Sequence, residues 1–272
     1  MRMKRKKRLP KLLKWLFAII IVALIILAIW WGWVRSHSNE LWKIVSEQCI
    51  PHQQLSISTA SPCIDVVLTP ETKRGYAIFK DRKGPLHFLL IPTAKIDGIE
   101  SKELQQPDST DYLYQAWMAR YYLAQQVGKP ISREMVSLAV NSAYGRSQEQ
   151  LHIHIACIKP EIQAQLGSQM DTFSEKWSSV PYGINNHHYI ARTLTESQLR
   201  EVSPFQRVAM EVSDAADNME KYGLALVAYT GHNNMPMYLL LANRLDIFGM
   251  NVGHTSDIQD YQCDLLKTEN LF

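Results

Sequence analysis

Two imidazoles stand two residues apart in QEQLHIHIACIKP (148–160), His152 and His154, within a run that alternates toward apolar residues. Three roles fit such a pair: metal ligation, nucleophilic attack by one ring with the other as donor, or none. In an extended strand successive side chains point to opposite faces, so Gln150, His152, His154 and Ala156 share one face. Leu151, Ile153, Ile155 and Cys157 share the other, which is apolar throughout and must meet a core. The histidines are then left to line a cleft. The spacing alone suits zinc as well as catalysis.

The remaining histidines read more plainly. His87 alternates into an apolar strand, as a half-buried structural residue that could also face the cleft. His187 and His188 in GINNHHYIAR read as a solvated loop. Trp117, Tyr114, Tyr121 and Tyr122 fall at helical spacing and read as core.

The elements that must position the pair follow from pattern. GYAIFKDRKGPLHFLLIPTAKI (75–96) predicts a hairpin across a charged Gly-Pro turn. DSTDYLYQAWMARYYLAQQVGKP (108–130) predicts one helix, with an acidic and hydroxyl-rich start and a Gly-x-Pro end. VSLAVN (136–141) and QLHIHIACIK (150–159) predict strands, and Pro160 opens a helix. SPFQRVAMEVSDAADNMEKYG (203–223) predicts another helix, with Ser as N-cap and Gly as C-cap. GLALVAYTGHNNMPMYLLLANR (223–244) repeats the strand, turn, strand pattern of 75–96, which suggests two half-repeats within one antiparallel sheet. The fold class is α+β.

Charge is unevenly placed. Eight of the 29 Lys and Arg precede residue 15, and the 21 that remain face 26 Asp and Glu. The rest of the chain is therefore mildly acidic, which argues against a nucleic-acid partner. Residues 15–34 carry no charge, and twenty such residues span about 30 Å as a helix. With Trp15 on one side, Trp30, Trp31 and Trp33 on the other and the basic head before it, this predicts a single transmembrane helix with the amino terminus inside. The expected division is a cytoplasmic head at 1–14, the span at 15–34 and an extracytoplasmic catalytic domain at 35–272. Cys49, Cys63, Cys157 and Cys263 form an even set, as expected for an oxidising compartment. Three pairings are open; Cys49–Cys63 and Cys157–Cys263 are favoured, and no CxxC pair points to zinc.

NSAYGRSQEQLHIHI resembles the signature of the histidine-triad superfamily of nucleotide hydrolases and transferases. There an Asn or Gln ends one strand, a Gly-rich turn and a Gln follow, and the next strand alternates three histidines with apolar residues. Asn141 and Gln148 stand at that spacing, His152 and His154 fall on the first two histidines, and Ala156 replaces the third. AIFKDRKGPLHFLLIPTAKIDGIES resembles the superfamily's nucleotide-pocket hairpin, with Asp81 on its turn Asp and Lys95 where a histidine is usual. The matching covers about residues 75–160. A register shifted by two would put Gln150 first and make His152 the middle position; the gap-free register makes His154 the nucleophile.

With the expected anchor, the paired cysteines and the pattern SPC…RSQEQLHIHIACIKP…SPF, the whole domain that follows the apolar run resembles the bacterial CDP-diacylglycerol pyrophosphatase family. That resemblance implies hydrolysis of CDP-diacylglycerol to CMP and phosphatidate at the bacterial inner membrane, with the catalytic domain in the periplasm. It implies attack by His154 on the cytidylyl phosphorus, with His152 donating to a phosphoryl oxygen. Asn141, Ser147, Gln148 and Gln150 would be neutral partners of the substrate, Arg146 or Lys95 would supply charge, and Asp81 would meet the ribose. No metal or other cofactor is expected. Two other readings stay open: a tethered hydrolase or transferase of soluble nucleotide conjugates, and a non-catalytic metal- or lipid-binding domain.

Overall fold

The computed structural model describes residues 11–55, 60–69, 74–231 and 234–268, and along the first helix it describes side chains for 15–29. Ten strands form one antiparallel sheet. In chain order they are β1 (Cys63–Leu68), β2 (Gly75–Lys80), β3 (His87–Pro92), β4 (Val136–Val140), β5 (Ile153–Ile158), β6 (Ser178–Ser179), β7 (Tyr189–Thr195), β8 (Tyr222–Thr230), β9 (Pro236–Arg244) and β10 (Gln259–Asp260). The spatial order is β1-β2-β3-β5-β4-β8-β9-β7-β6, with the short β10 added to β5.

That order contains the expected repeat, but in another alignment. β2-β3-β5-β4 and β6-β7-β9-β8 are the same four-strand path run outward from the β4–β8 junction. The counterpart of β8–β9 is therefore β4–β5, not the β2–β3 hairpin. Where β5 carries His154, β9 carries the buried apolar run Leu239–Leu241 followed by Ala242. Only one half holds the candidate chemistry.

The two faces of the sheet divide the work. Phe88, Ile155, Leu138, Leu226 and Leu240 follow one another across the strands on one face. They join Leu113, Trp117, Phe205 and Val208 from the covering helices in the main core. Trp117 meets Tyr238 edge-on at 5.1 Å between ring centroids, a favoured aromatic geometry. On the other face, Leu41, Val45 and Cys49 pack on Ala77, Leu89 and Ile91, so the segment after residue 37 roofs part of the histidine-bearing face.

Two predicted helices differ in detail. Residues 108–130 form two helices, Tyr112–Met118 and Tyr121–Val127. Asp111 accepts from Tyr114 N at the start and Gly128 takes a left-handed φ at the end. The break falls where the Arg120 side chain donates to the Trp117 carbonyl. The helix expected over 203–223 ends at Glu211. Gly223 is not its cap but part of β8, where an added Cβ would sit 2.4 Å from the Gly253 carbonyl oxygen. That glycine permits close packing of backbone on backbone.

The expected transmembrane span requires correction. A helix covers Lys11–His37, but among the described residues no helix is long and apolar enough to cross a membrane. The basic head through residue 10 lies outside the described residues, as do the side chains of Trp30, Trp31 and Trp33.

Both favoured disulfides form. Cys49–Cys63 has Cα atoms 5.6 Å apart, and Cys157–Cys263 has them 5.2 Å apart. The first ties the roofing segment to β1. The second ties the end of β5 to the carboxyl-terminal segment, beside the β10–β5 pairing.

Candidate active site

His152 immediately precedes β5 and His154 lies on it; both are buried. The strand register sets what surrounds them. Leu89 pairs with His154 and His87 pairs with Ala156. Opposed residues share a face and diagonal ones lie within reach of long side chains, so His87 projects beside His154. His87 Nε2 lies 2.8 Å from His154 Nδ1. The position where the superfamily pattern expects a third histidine holds alanine, and the adjacent strand supplies an imidazole next to it.

Hydrogen-bond satisfaction orders the protons of this group. Ser256 N donates to Asn141 Oδ1 at 3.0 Å, which fixes the amide orientation. Asn141 Nδ2 then donates to Ser256 Oγ at 3.1 Å and faces His154 Nε2 at 3.4 Å. A donor facing Nε2 requires the lone pair there, so His154 carries its proton on Nδ1 and donates to His87 Nε2. His87 in turn carries its proton on Nδ1, which points toward Asp81 Oδ1 at 3.8 Å. That Nδ1 is buried without a hydrogen-bond partner among the described residues, and Asp81 is the nearby carboxylate. His152 is ordered differently: its Nδ1 donates to the Gln150 carbonyl at 2.7 Å, leaving the lone pair on Nε2.

Burial holds all three rings neutral. It pushes His154 well below the ordinary imidazole value, and His152, His87, His254 and Lys83 push the same way. It pushes His87 down to about 4, with Asp81 opposing and Lys80, Lys83 and His152 adding to the shift. It lowers His152 also, partly offset by the Gln150 carbonyl. A neutral imidazole keeps its lone pair, the requirement for a nucleophile.

His152 and His154 line a cavity of about 260 Å³. Ser147 and Gln148 border it from the loop after β4, and Asp81, Arg82 and Lys83 from the β2–β3 turn. Leu41, Ile44, Phe79 and Leu89 give it an apolar wall. A larger cavity of about 520 Å³ lies at the far end of the β8–β9 hairpin among Met170, Phe173, Tyr229 and Met237, with no imidazole in its lining.

The expected site residues separate into two sets. His152, His154, Asp81, Ser147 and Gln148 meet at the cavity, and Asn141 Nδ2 lies 3.4 Å from His154 Nε2. Arg146, Lys95 and Gln150 are not in its lining. Arg146 forms a two-pronged ion pair with Glu100, at 2.7 and 2.6 Å, and also binds Glu149 at 2.8 Å. Lys95 bonds the Glu149 carbonyl and lies 3.1 Å from Asp97. Gln150 donates to the Pro92 and Ala94 carbonyls and accepts from Ile96 N, pinning the end of β3 to β5. The cations at the cavity are Arg82 and Lys83. Their only signal in the sequence was the charge density of KDRKGP, which a solvated turn explains as well.

His87 was the main residue undervalued from sequence. Tyr261 stacks on it at 3.8 Å between centroids and 8° between planes. The Leu86 amide donates to the Tyr261 carbonyl. An added Cβ at Gly84, whose φ is +75°, would meet the Tyr261 Cβ at 2.6 Å, so the turn needs glycine for both conformation and space. The Cys157–Cys263 disulfide and the β10 pairing bring Tyr261 there. Gln259 binds the His154 carbonyl from the same segment. Among the described residues, no group of three or more His, Cys, Asp or Glu could hold a metal ion.

Two neutral buried imidazoles with ordered lone pairs, facing a cavity bordered by Arg82 and Lys83 and by the carboxylates of Glu40 and Asp81, can serve nucleophilic attack on a phosphoryl group. The family model for CDP-diacylglycerol pyrophosphatase matches residues 36–267. A CDP-diacylglycerol pyrophosphatase of Yersinia pestis is 40% identical over 231 residues, covering 85% of this chain and 86% of that protein. The chain belongs to the CDP-diacylglycerol pyrophosphatase family, whose members are named as hydrolases of a phosphoric anhydride.

Proposed function

We propose that this enzyme cleaves CDP-diacylglycerol to CMP and phosphatidate by covalent catalysis at His154. The observation that carries the mechanism is the 2.8 Å contact between His154 Nδ1 and His87 Nε2, with Asp81 behind His87. When His154 Nε2 attacks the cytidylyl phosphorus, the N–P bond forms as the bond to the phosphatidate oxygen breaks. Positive charge then develops on the His154 ring, and its Nδ1 proton already points to His87, on the side where Asp81 supplies negative charge. Phosphatidate leaves as a stable phosphate anion. Water attacks the nucleotidyl-histidine, releasing CMP and restoring the neutral ring. The two-step path replaces one difficult displacement by two easier ones.

His152 Nε2 keeps its lone pair, so it accepts from a substrate hydroxyl or the attacking water rather than donating to a phosphoryl oxygen, and Arg82 and Lys83 supply the charge that a pyrophosphate requires. The apolar wall of Leu41, Ile44, Phe79 and Leu89 suits the glycerol side of the lipid better than a second nucleotide. The two disulfides support a reaction site outside the reducing cytoplasm.

Turnover in ¹⁸O-water tests the bond that is cleaved. Attack on the cytidylyl phosphorus puts the label in CMP and none in phosphatidate. Label in phosphatidate would contradict a nucleotidyl-histidine and redirect attack to the lipid phosphorus.

A further inference from the structure

The segment between β9 and β10 exposes an apolar tip that the fold does not use. Ile247 is 76%, Phe248 101%, Met250 87% and Val252 45% exposed. These side chains are not on a slack loop. Asp246 and Asn251 exchange backbone hydrogen bonds, each at 2.8 Å. Asp246 Oδ1 accepts from the amides of Phe248 and Gly249 at 3.1 Å. Asn251 Nδ2 donates to Asn243 Oδ1 and to the Arg244 carbonyl. The turn's polar groups are satisfied inward while its largest apolar groups are held outward.

The tip is joined to the active site. Ser142 N donates to the Gly253 carbonyl and Ser142 Oγ to the Val252 carbonyl. An added Cβ at Gly145 would lie 3.0 Å from the Val252 carbonyl oxygen, so the two loops pack backbone to backbone. The Ser142–Gln148 loop carries Ser147 and Gln148 to the cavity, and exposes Tyr144 beside the tip. Two residues past Gly253 the same segment delivers Thr255 and then Ser256, which orients Asn141.

We infer that the Ile247–Val252 tip inserts into a lipid bilayer and presents the active site to its surface. The inference rests on the reading of the substrate as a diacylglycerol-linked nucleotide, whose acyl chains lie in that bilayer while its pyrophosphate lies at the interface. Ile, Phe and Met on a rigid projection gain by transfer into acyl chains. Asp246, the one charged residue of the turn, is held by the Phe248 and Gly249 amides.

Overall vesicle binding is a poor readout, because residues 15–29 also expose apolar side chains. A site-specific probe avoids this. The four native cysteines are in disulfides, so Phe248→Cys in the full chain gives a single thiol for an environment-sensitive dye, with Glu175→Cys as the control position. With phosphatidylcholine–phosphatidylglycerol vesicles containing CDP-diacylglycerol, the dye at 248 should shift to the blue and be quenched by brominated acyl chains, and the dye at 175 should not respond. Phe248→Asp/Met250→Asp should lower activity on vesicle-borne substrate at least about tenfold, while activity on a monomeric short-chain CDP-diacylglycerol stays within about twofold. A dye at 248 that stays in water, a blue shift that depends on protein concentration without vesicles, or equal loss on both substrates would overturn the inference. Wild-type enzyme that releases CMP from neither substrate would instead overturn the functional reading beneath it.

Discussion

His87 lies opposite Ala156 in the β3–β5 ladder and places its Nε2 2.8 Å from His154 Nδ1. An imidazole absent from one strand is thus supplied by its neighbour, against the ring proposed as nucleophile. His87 does not itself line the cavity; its place is behind His154, where it fixes the tautomer and receives the Nδ1 proton's hydrogen bond.

His87→Ala and His87→Gln should therefore act on kcat more than on KM. A fall in kcat of about 10²-fold with KM changed less than about threefold is expected, within the range of positioned proton-handling groups. Asp81→Asn should cost about tenfold, since its carboxylate reaches His87 at 3.8 Å without a hydrogen bond. Steady-state kinetics on detergent-solubilised substrate, with circular dichroism to check folding, give the answer.

Acidity should act late. His154 and His87 are neutral above their lowered values and protonated below them. Activity should stay level through neutral pH and fall on the acid side with an inflection nearer 4 than 6.5. Asp81 favours protonated His87, so Asp81→Asn should move the inflection further toward acid. Stability follows the same sign: between pH 6.5 and about 4 the unfolded His87 binds a proton that the folded ring refuses. Stability is thus full above that window and declines as pH falls through it, which thermal melts across the range will show.

Arg146 and the cavity cations should separate cleanly. Arg146→Ala leaves Glu100 without its two-pronged partner and should cost about 2 kcal/mol in denaturant unfolding. Arg82→Ala and Lys83→Ala should leave stability near wild type and raise KM for the liponucleotide about tenfold each. Lys95→Ala should change neither by much, because its amine is engaged outside the cavity.

Loss of the Cys157–Cys263 bond should disable the site as well as loosen the chain. It closes a loop of sequence separation 106, for which the chain-entropy value is about 4–5 kcal/mol. Cys157→Ser/Cys263→Ser should lower the melting temperature and also kcat, because Tyr261 and Gln259 hold His87 and the His154 backbone from that segment. Cys49→Ser/Cys63→Ser should lower stability and raise KM more than it lowers kcat, because that bond ties the segment bearing Leu41 and Ile44 to β1. Treatment of the wild type with EDTA should leave activity unchanged.

Much of the scaffold was legible because it follows local rules. The alternation in LHIHIAC set the faces of β5, the charged Gly-Pro turn marked the β2–β3 hairpin, and the two cysteine pairs are those favoured from sequence. What was not legible depends on non-local register. No pattern within GPLHFLL says that His87 reaches His154, since strand pairing across 67 residues decides it. Arg146 and Lys95 have the right charge for phosphate, yet neighbouring carboxylates and carbonyls claim them. Gly223 looks like a helix end until the Gly253 backbone is seen against it. The apolar run at the amino terminus reads as a membrane span by composition, and the described structure does not support that reading.

The most direct test of the central claim is intact-protein mass spectrometry during turnover of CDP-diacylglycerol, quenched without acid, on wild type, His154→Ala and His152→Ala. The account predicts a cytidylyl adduct on the wild type and on His152→Ala, and none on His154→Ala. An adduct that survives in His154→Ala and vanishes in His152→Ala would contradict the assignment of the nucleophile, and CMP release with no adduct on any of the three would contradict covalent catalysis.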